Sequence, residues 1–390
     1  MAYETVTKKS LGARLGDSLK GIITGLILAA LGIGLLFWNE GNFIKTKKGL
    51  EEGAASVVSI QPDAVSAENN GKLVHLSGPT GTTETLTDNQ FGLHVTDSVR
   101  LERKVEMFQW TERSQEEKRE KTGGGIEIKT TYTYAKVWSP EVIDSSQFKD
   151  PKYVGANPTT MLFESRSWTA GTVTLGAFRL NPAQISRIRG SEPVPVGQGQ
   201  LDALPDDVRA RAQISDRFIY FGANPQSPQI GDVRVSFSRV PVAQVTIVAR
   251  QNGNTFEPHT TSQGTKIDLF AMGALSAGQM FQEAEKLNVT TTWILRLVGF
   301  VLILIGFNMV FAPLGVLASV LPPAGAIVRF GTGLLSFVLT LPVSLITIAV
   351  GWLAFRPVIG GAILAAALLL PLAAIFLLRK KKQPTPAGTG

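Results

Sequence analysis

Residues 330–355 read FGTGLLSFVLTLPVSLITIAVGWLAF, a long apolar run without a charge. A helix rises ~1.5 Å per residue, so ~20 residues span the ~30 Å hydrocarbon core of a bilayer. Helices of soluble domains keep a polar face, which this run lacks. Similar runs lie on both sides of it, at 294–317 and 358–378. The C-terminal quarter of the chain therefore predicts three membrane-spanning helices.

A fourth apolar run lies near the N-terminus. Residues 21–38 are uncharged and end at Trp38, an aromatic residue of the kind found at membrane interfaces. Residues 8–20 place leucines at i, i+4 between basic residues, which is typical of a short interfacial helix. A cleaved signal peptide is the alternative, but no small-x-small cleavage site follows the run. The predicted segments are a cytoplasmic tail 1–20, span 21–38, an extramembrane domain 39–292, spans 293–317, 330–355 and 358–378, and a basic cytoplasmic tail 379–390.

The distribution of charge favours cytoplasmic termini. The formal net charge of +7 arises at the two ends, because basic and acidic residues nearly balance within 39–292. Basic residues precede the first run and form the block RKKK at 379–382, and such clusters mark the cytoplasmic side of a span. Lys45, Lys47 and Lys48 argue weakly the other way. With four spans, residues 39–292 are expected outside the cytoplasm.

Composition also limits the function. A domain with nearly balanced charge gives no support for a nucleic-acid partner. The chain contains no cysteine, which excludes disulfides, thiolate metal sites and a cysteine nucleophile.

Residues 39–292 carry the signals of β-structure. Apolar and polar residues alternate in 126–138, as in a strand with one buried face. Residues 99–112 are expected to pair with it as a hairpin, with the charged stretch 113–121 in the connection. An Asn252-Gly253 turn predicts a second hairpin. The predicted fold class is an integral membrane α-helical protein with four transmembrane helices, one N-terminal and three C-terminal. A large β-rich α+β domain is inserted between the first and second spans.

Glycines and one amide are the candidate packing residues of the spans. Small residues spaced four apart let helices approach closely in a membrane, although glycine is also simply tolerated there. An unpaired amide within hydrocarbon is costly, so an asparagine near mid-span is expected to hydrogen-bond another helix. The candidates are Gly21, Gly25, Gly32, Gly34 and Asn308.

Arg296 is a charge near the end of its apolar run. We expect its side chain to reach the headgroups, which is the least costly solution for a long basic side chain. Transporters usually carry several ionisable groups within the membrane, so one at an edge gives little support for transport.

The residues that could carry catalysis are few. The histidines His75, His94 and His259 fall in separate strand-like stretches, and zinc would need them to converge with a carboxylate such as Glu106. Separately packed histidines are the simpler interpretation. Neither a Gly-x-Ser-x-Gly elbow nor a phosphate-binding loop is present. We therefore expect no catalytic residue, no cofactor and no bound metal.

Several short segments spread along most of the chain have distinctive amino-acid sequences. They are ENNGKLVHLSG at 68–78, FGLHV at 91–95, VEMFQWTE at 105–112, GDVRVSFS at 231–238, VTIVARQ at 245–251 and GWLAFRP at 351–357. Taken together and in this order, they resemble the transmembrane protein 43 family, also called LUMA. The residues that carry the resemblance include Glu68, Asn69, Gly71, His75, His94, Glu106, Gln109, Trp110, Gly231, Asp232, Arg234, Trp352, Arg356 and Pro357.

The resemblance implies a four-span membrane protein with a large luminal or extracytoplasmic domain. In animals the family lies in the endoplasmic reticulum and inner nuclear membrane, self-associates and organises complexes with other nuclear-envelope proteins. It supplies no established catalytic residues. The lack of cysteine and the shorter connections between strands favour a bacterial homologue in an inner membrane.

The function expected from these observations is that of a non-catalytic scaffold. Its expected partners are the lipid bilayer, further copies of the chain and other membrane proteins; any small-molecule ligand is unspecified. The alternative is an extracytoplasmic sensor of a ligand or of envelope stress. A third hypothesis is an enzyme that processes lipids or the cell wall.

Overall fold

A computed structural model describes residues 3–355 and Leu369. The described helices are α1 Leu11–Ser56, α2 Pro182–Arg187, α3 Gln198–Asp202, α4 Asp206–Arg209, α5 Ala277–Ala318 and α6 Pro322–Phe355. The described strands are β1 Tyr3–Lys9, β2 Val58–Ser59, β3 Leu73–Gly81, β4 Leu86–Asp88, β5 Leu93–Val95, β6 Ser98–Glu120, β7 Ile126–Ser139, β8 Arg166–Thr169, β9 Thr174–Leu175, β10 Phe178–Arg179, β11 Glu192–Val194, β12 Ala212–Ser215, β13 Phe218–Phe221, β14 Val233–Pro241, β15 Gln244–Asn252, β16 Thr255–Glu257, β17 His259–Thr260, β18 Lys266–Ile267 and β19 Leu269–Met272.

The chain forms two compact units. One contains residues 49–117 and 129–283 together with the first few residues, and holds most of the β-structure. The other contains residues 6–48, the turn region 118–128 and the helical residues from 284 onward.

Three of the described helices are long and apolar enough to cross a membrane: α1, α5 and α6. The predictions of an apolar N-terminal helix, of two apolar C-terminal helices and of a large β-rich domain are therefore confirmed. The interfacial stretch 8–20 is not a separate helix, because α1 begins at Leu11 and continues through the first apolar run. The predicted span 358–378 and the tail 379–390 fall outside the residues that the structure describes.

Helices α1 and α5 pack closely and antiparallel through glycines. A Cβ atom added at Gly25 would lie 2.6 Å from the carbonyl oxygen of Gly306, and one at Gly32 would lie 2.8 Å from that of Gly299. Each helix thus presents two glycines seven residues apart, which is two helical turns and therefore one face. Only residues without a Cβ allow this separation between the two backbones.

The other candidate packing residues have different surroundings. A Cβ added at Gly21 would make an ordinary contact with Met309, at 3.7 Å, and one at Gly34 would find no described atom within 4 Å. The side chain of Asn308 donates to the carbonyl oxygen of Leu304 in its own helix, at 2.9 Å. The predicted hydrogen bond from Asn308 to another helix is therefore not among the described contacts.

The β-rich domain contains two large sheets around one core. The first has the order β1-β7-β6-β14-β13-β12, with β11 and β8 paired to its inner strands; the second has the order β10-β9-β3-β15-β16, with β19 and β2 at its side. Both hairpins predicted from the sequence form, and Asn252 pairs with Thr255 across the second turn. Val105 and Val235 of the first sheet join Leu76 and Ile247 of the second in a single buried cluster.

The charged stretch 113–121 is solvent-exposed, as predicted, but it is not the connection of the hairpin. Strand β6 continues through it to Glu120, and the turn follows at Gly123 and Gly124, whose positive φ angles favour glycine. Side chains of a strand still point alternately to its two faces when both faces are polar. The sequence of such a strand then shows no alternation of hydrophobicity.

The end of this strand makes specific contacts within the helical unit. Glu120 pairs with Arg14 at 3.0 Å and with Arg329 at 2.9 Å, and Arg14 also donates to the carbonyl oxygen of Gly124. Residues 118–128 therefore lie beside the beginning of α1. The placement of 39–292 across the membrane from residues 1–20 stays a prediction, and the contact of this turn with Arg14 is an observation that it must accommodate.

Candidate functional site

A fully buried carboxylate, Glu40, lies at the centre of a polar cluster between the three apolar helices. Arg296 of α5 donates from Nε to one carboxylate oxygen at 2.7 Å and from Nη2 to the other at 2.8 Å. The indole N–H of Trp352 on α6 donates to the same carboxylate. A single side chain of α1 is thus bonded to both neighbouring helices.

Aromatic rings complete the surroundings of Arg296. Its guanidinium lies 4.7 Å from the ring centre of Trp293 and 5.8 Å from that of Trp352. A cation over an indole face is stabilised by the ring's quadrupole, more so where water is excluded. The partner that the structure gives Arg296 is thus a bidentate carboxylate of a neighbouring helix, and its expected reach to the headgroups stays a prediction.

Two amides extend the cluster along α1 and α5. Asn39 donates to the carbonyl oxygen of Thr292, and Asn288 donates to that of Phe43, both at 3.2 Å. A Cβ added at Gly351 would lie 2.9 Å from Cβ of Glu40, so α6 also needs a glycine here. Hydrogen bonds, an ion pair and a close backbone approach therefore fix the three helices at one level.

The sequence carries a signal for this cluster. Glu40 follows the C-terminal end of the first apolar run, and Arg296 lies near the N-terminal end of the second. Opposite charges therefore occur at the two ends that meet when consecutive helices pack antiparallel. The partner glycines Gly299 and Gly306 also repeat the seven-residue spacing of Gly25 and Gly32.

In the β-rich domain, Glu106 and Arg234 are brought together. Arg234 donates to Glu106 at 2.8 Å and stacks over Trp138 and Phe218, while Lys104 pairs with the other carboxylate oxygen at 2.8 Å. Burial raises the pKa of Glu106, but the hydrogen bonds from Lys104 and Arg234 outweigh it and hold that pKa below its usual range. The carboxylate is therefore charged and is held by Lys104 of its own strand and by Arg234 of the adjacent strand β14.

Gln109 and Trp110 fasten a loop to strand β6. The buried amide of Gln109 donates to the carbonyl oxygen of Glu141 at 2.9 Å and accepts from the N–H of Ile143 at 2.8 Å. Asn157 bonds both backbone polar groups of Trp110, at 2.7 and 2.9 Å. These amides replace strand partners that the backbone would otherwise lack.

A tyrosine lies beside this loop. The hydroxyl of Tyr134 donates to Glu112 at 2.6 Å, and its ring stacks on Tyr153 with centres 4.2 Å apart. Burial, together with the neighbouring Glu112 carboxylate, raises the pKa of Tyr134 to about 12. The group is a hydrogen-bond donor near neutral pH and is not poised as a base.

The histidines have separate partners. His75 is hydrogen-bonded to Ser59 and to the carbonyl oxygen of Leu275, and His94 is hydrogen-bonded to Thr87. Among the described residues, no three histidine or carboxylate side chains come together in a way that could hold a metal ion.

The remaining resemblance residues form turns or lie outside the described part. Glu68 and Asn69 belong to a short 3₁₀ turn, and Gly71 and Gly231 have φ angles of +80° and +95°, which favour glycine. Asp232 accepts from the N–H of Gln229 and the hydroxyl of Tyr220, and burial followed by that bond raises the pKa of Tyr220. Trp352 belongs to the Glu40 cluster described above, whereas Arg356 and Pro357 lie outside the described residues.

Gly231 and Asp232 also line an open cavity of about 920 Å³ in the β-rich domain. The other lining residues come from β6, from the loop around 158–162 and from the ends of β12, β13 and β14.

Apolar helices joined through a buried ion pair, together with a large β-rich domain, define an integral membrane protein. The chain belongs to the transmembrane protein 43 family, whose family model matches residues 107–357. Transmembrane protein 43 of Rattus norvegicus is 34% identical over 386 residues, which cover 95% of this chain and 92% of the relative. That of Homo sapiens is 34% identical over 358 residues, with 88% and 86% covered. The Drosophila melanogaster homologue is 28% identical over 355 residues, with 88% and 90% covered. No solved structure matches the chain.

Replacing Glu40 tests the cluster. In Glu40→Gln the amide leaves the buried Arg296 cation without a counter-charge, and breaking such a pair costs about 3–5 kcal/mol. We expect a clearly lower melting temperature of the full-length protein in nanodiscs. The control is Asp17→Asn on the same helix, which removes only an exposed ion pair with Lys9 and is expected to change stability little. Equal melting of the two variants would contradict the assignment.

Proposed function

We propose that this protein is a non-catalytic scaffold that associates with further copies of itself and organises other membrane proteins. Its membership of the transmembrane protein 43 family supports a role within the membrane. The observation that carries the proposal is the outward face of α1, which combines large exposed apolar side chains with Gly34, a glycine that no described residue covers.

The outward face of α1 is suited to a helix of a second copy. Ile27, Leu31 and Phe37 are exposed, and a Cβ added at Gly34 would meet no described atom within 4 Å. Gly25 and Gly32, by contrast, are already used against α5. Helices associate in lipid where small residues let their backbones approach, and within the apolar run 21–38 Gly34 is the glycine that no described atom covers, so it is available for such a contact.

The polar groups of the β-rich domain support a non-catalytic role. Glu106, Gln109 and His75 each have hydrogen-bond partners within the domain. A nucleophile or general base would need a free lone pair directed at a substrate position. These side chains instead connect strands and loops.

Self-association is tested by the mass of the full-length protein in mild detergent, measured by light scattering. We expect a defined oligomer for the unmodified chain and a shift toward monomer for Gly34→Leu, because the added side chain separates the two helices. The melting temperature of Gly34→Leu should stay close to that of the unmodified protein.

Gly32→Leu is the matched control for this experiment. Its side chain would collide with α5 inside one protomer, so it should lower the melting temperature whatever the oligomeric state. A strict monomer of the unmodified chain at all concentrations would contradict the scaffold.

For the membrane arrangement, we propose four spans, with residues 358–378 as the fourth, both termini in the cytoplasm of a bacterium and most of 39–292 in the periplasm. The lengths of the apolar runs and the basic ends support it. The pairing of Glu120 with Arg14 counts against it, since a polar hairpin is not stable in lipid unless protein covers it.

The absence of cysteine allows this arrangement to be tested without background labelling. Ser10→Cys and Asp63→Cys would be treated separately with a membrane-impermeant maleimide in intact cells and in inverted vesicles. We expect Asp63→Cys to react from outside and Ser10→Cys only in inverted vesicles. Reaction of both from one side would contradict a spanning α1 and place that helix along the membrane surface.

A sensor is the second candidate function, and the cavity of about 920 Å³ favours it. Ligand pockets commonly have volumes of about 300–1,000 Å³. Neither the histidines His75 and His94 nor the aromatic residues Trp110 and Tyr134 line this cavity.

A further inference from the structure

A cleft of about 360 Å³ lies at the end of the helical unit where α1 begins and α5 ends. On one side, Met309, Ala312 and Val316 are three and four residues apart, so they lie on one face of α5. On the other side, Ile126 and Ile128 are two residues apart and project from one face of β7. These five side chains are each partly exposed and form an accessible apolar floor.

The rim of this cleft is basic. Lys9, Arg14 and Lys118 belong to its lining. Arg14 is already held by Glu120 at 3.0 Å. Lys9 pairs with Asp17 of the lining at 3.2 Å, but both side chains are exposed, so this ion pair is weak and can exchange for another anion. Even with both carboxylates counted, the rim has an excess of positive charge.

The chain segments around the cleft add further positive charge. Lys8 and Lys20 flank the start of α1 and Arg119 lies near the end of β6, and all three are exposed. Basic residues next to a membrane-spanning helix attract anionic lipid headgroups. A phospholipid carries its charged phosphate next to glycerol and apolar acyl chains. The basic rim and the apolar floor therefore follow the order of groups in such a molecule.

We propose that this cleft binds one anionic phospholipid. The headgroup lies between Lys9 and Lys118, and the glycerol and first acyl carbons lie against Met309 and Ile128. All the lining residues belong to the helical unit. The proposal is therefore independent of the scaffold and of the side of the membrane on which α1 begins.

The test begins with native mass spectrometry of the full-length protein in detergent, titrated with phosphatidylglycerol and with phosphatidylcholine of equal chain length. Both lipids contain a phosphate, but only phosphatidylglycerol has a net negative charge. We expect one phosphatidylglycerol to bind about tenfold more tightly than phosphatidylcholine. Glycerol 3-phosphate, which has the charge without the acyl chains, should not displace it. Equal affinities of the two lipids, or displacement by glycerol 3-phosphate, would overturn the proposal.

A photoreactive phosphatidylglycerol then locates the bound lipid. Its diazirine is placed near the glycerol end of one acyl chain, and after illumination in nanodiscs we expect labels on the peptides that contain Met309 or Ile128. Gly21→Leu should block this labelling. Gly21 lines the cleft, and a Cβ added there lies 3.7 Å from Met309, so the new side chain fills the cleft without forcing the helices apart. Thermal melting checks its folding, and labels spread evenly over α1, α5 and α6 of the unmodified protein would contradict a defined site.

Charge variants test the rim of the cleft. Lys9→Gln and Lys118→Gln should each weaken phosphatidylglycerol binding about fivefold, the loss expected for one basic residue at a membrane surface. Asp17→Asn should strengthen binding, because Lys9 then loses its competing carboxylate. The control is Lys20→Gln, which removes an exposed lysine of α1 outside the cleft lining and should change binding little. Weaker binding in Asp17→Asn, or a loss in Lys20→Gln equal to that in Lys9→Gln, would assign the attraction to the basic surface as a whole and overturn the proposal.

Discussion

The helical unit depends on burying one negative charge between apolar helices. A lone carboxylate in such a place would cost several kcal/mol, so Glu40 requires Arg296, and the pair in turn requires Trp352 to satisfy the carboxylate further. Each partner belongs to a different helix. The cost of leaving any of them unpaired thereby becomes a constraint on how the helices can be arranged.

This electrostatic constraint and the glycine contacts depend on each other. The bidentate geometry, with N to O distances of 2.7 and 2.8 Å, needs α1 and α5 to lie very close. That separation is provided by two glycine pairs, Gly25 with Gly306 and Gly32 with Gly299. Packing between small residues does little to fix how far α1 is shifted along α5. The ion pair selects one register among those that the glycines permit.

The same construction recurs in the β-rich domain. Arg103 pairs with the buried Asp88 at 2.9 Å and lies over the rings of Phe91 and Trp168. Arg234 pairs with Glu106 and stacks on Trp138. An arginine held between aromatic rings and a carboxylate is thus the repeated way in which this chain buries charge, since the planar guanidinium can stack and form bidentate bonds at once.

Long apolar segments and periodic patterns could be predicted from the sequence. Features that depend on contacts between distant residues could not. The apolar runs and the hairpin at Asn252 were predictable because hydrophobicity and turn chemistry act locally. The pairing of Glu40 with Arg296 was missed because each charge alone resembles an interfacial residue. The extension of β6 to Glu120 was missed because a strand polar on both faces carries no hydrophobic pattern. The cavity could not be predicted, since its lining combines β6 and the loop around 158–162 with the ends of β12, β13 and β14, which are distant from them in the chain.

The most direct test of this account is a charge reversal between α1 and α5. Glu40→Arg and Arg296→Glu each place like charges together, and the double variant restores an opposite pair in the reverse order. Melting temperatures of the three proteins in nanodiscs decide the matter. The account predicts that the double variant melts well above either single variant, because the two sites are coupled. Losses that simply add in the double variant would contradict it.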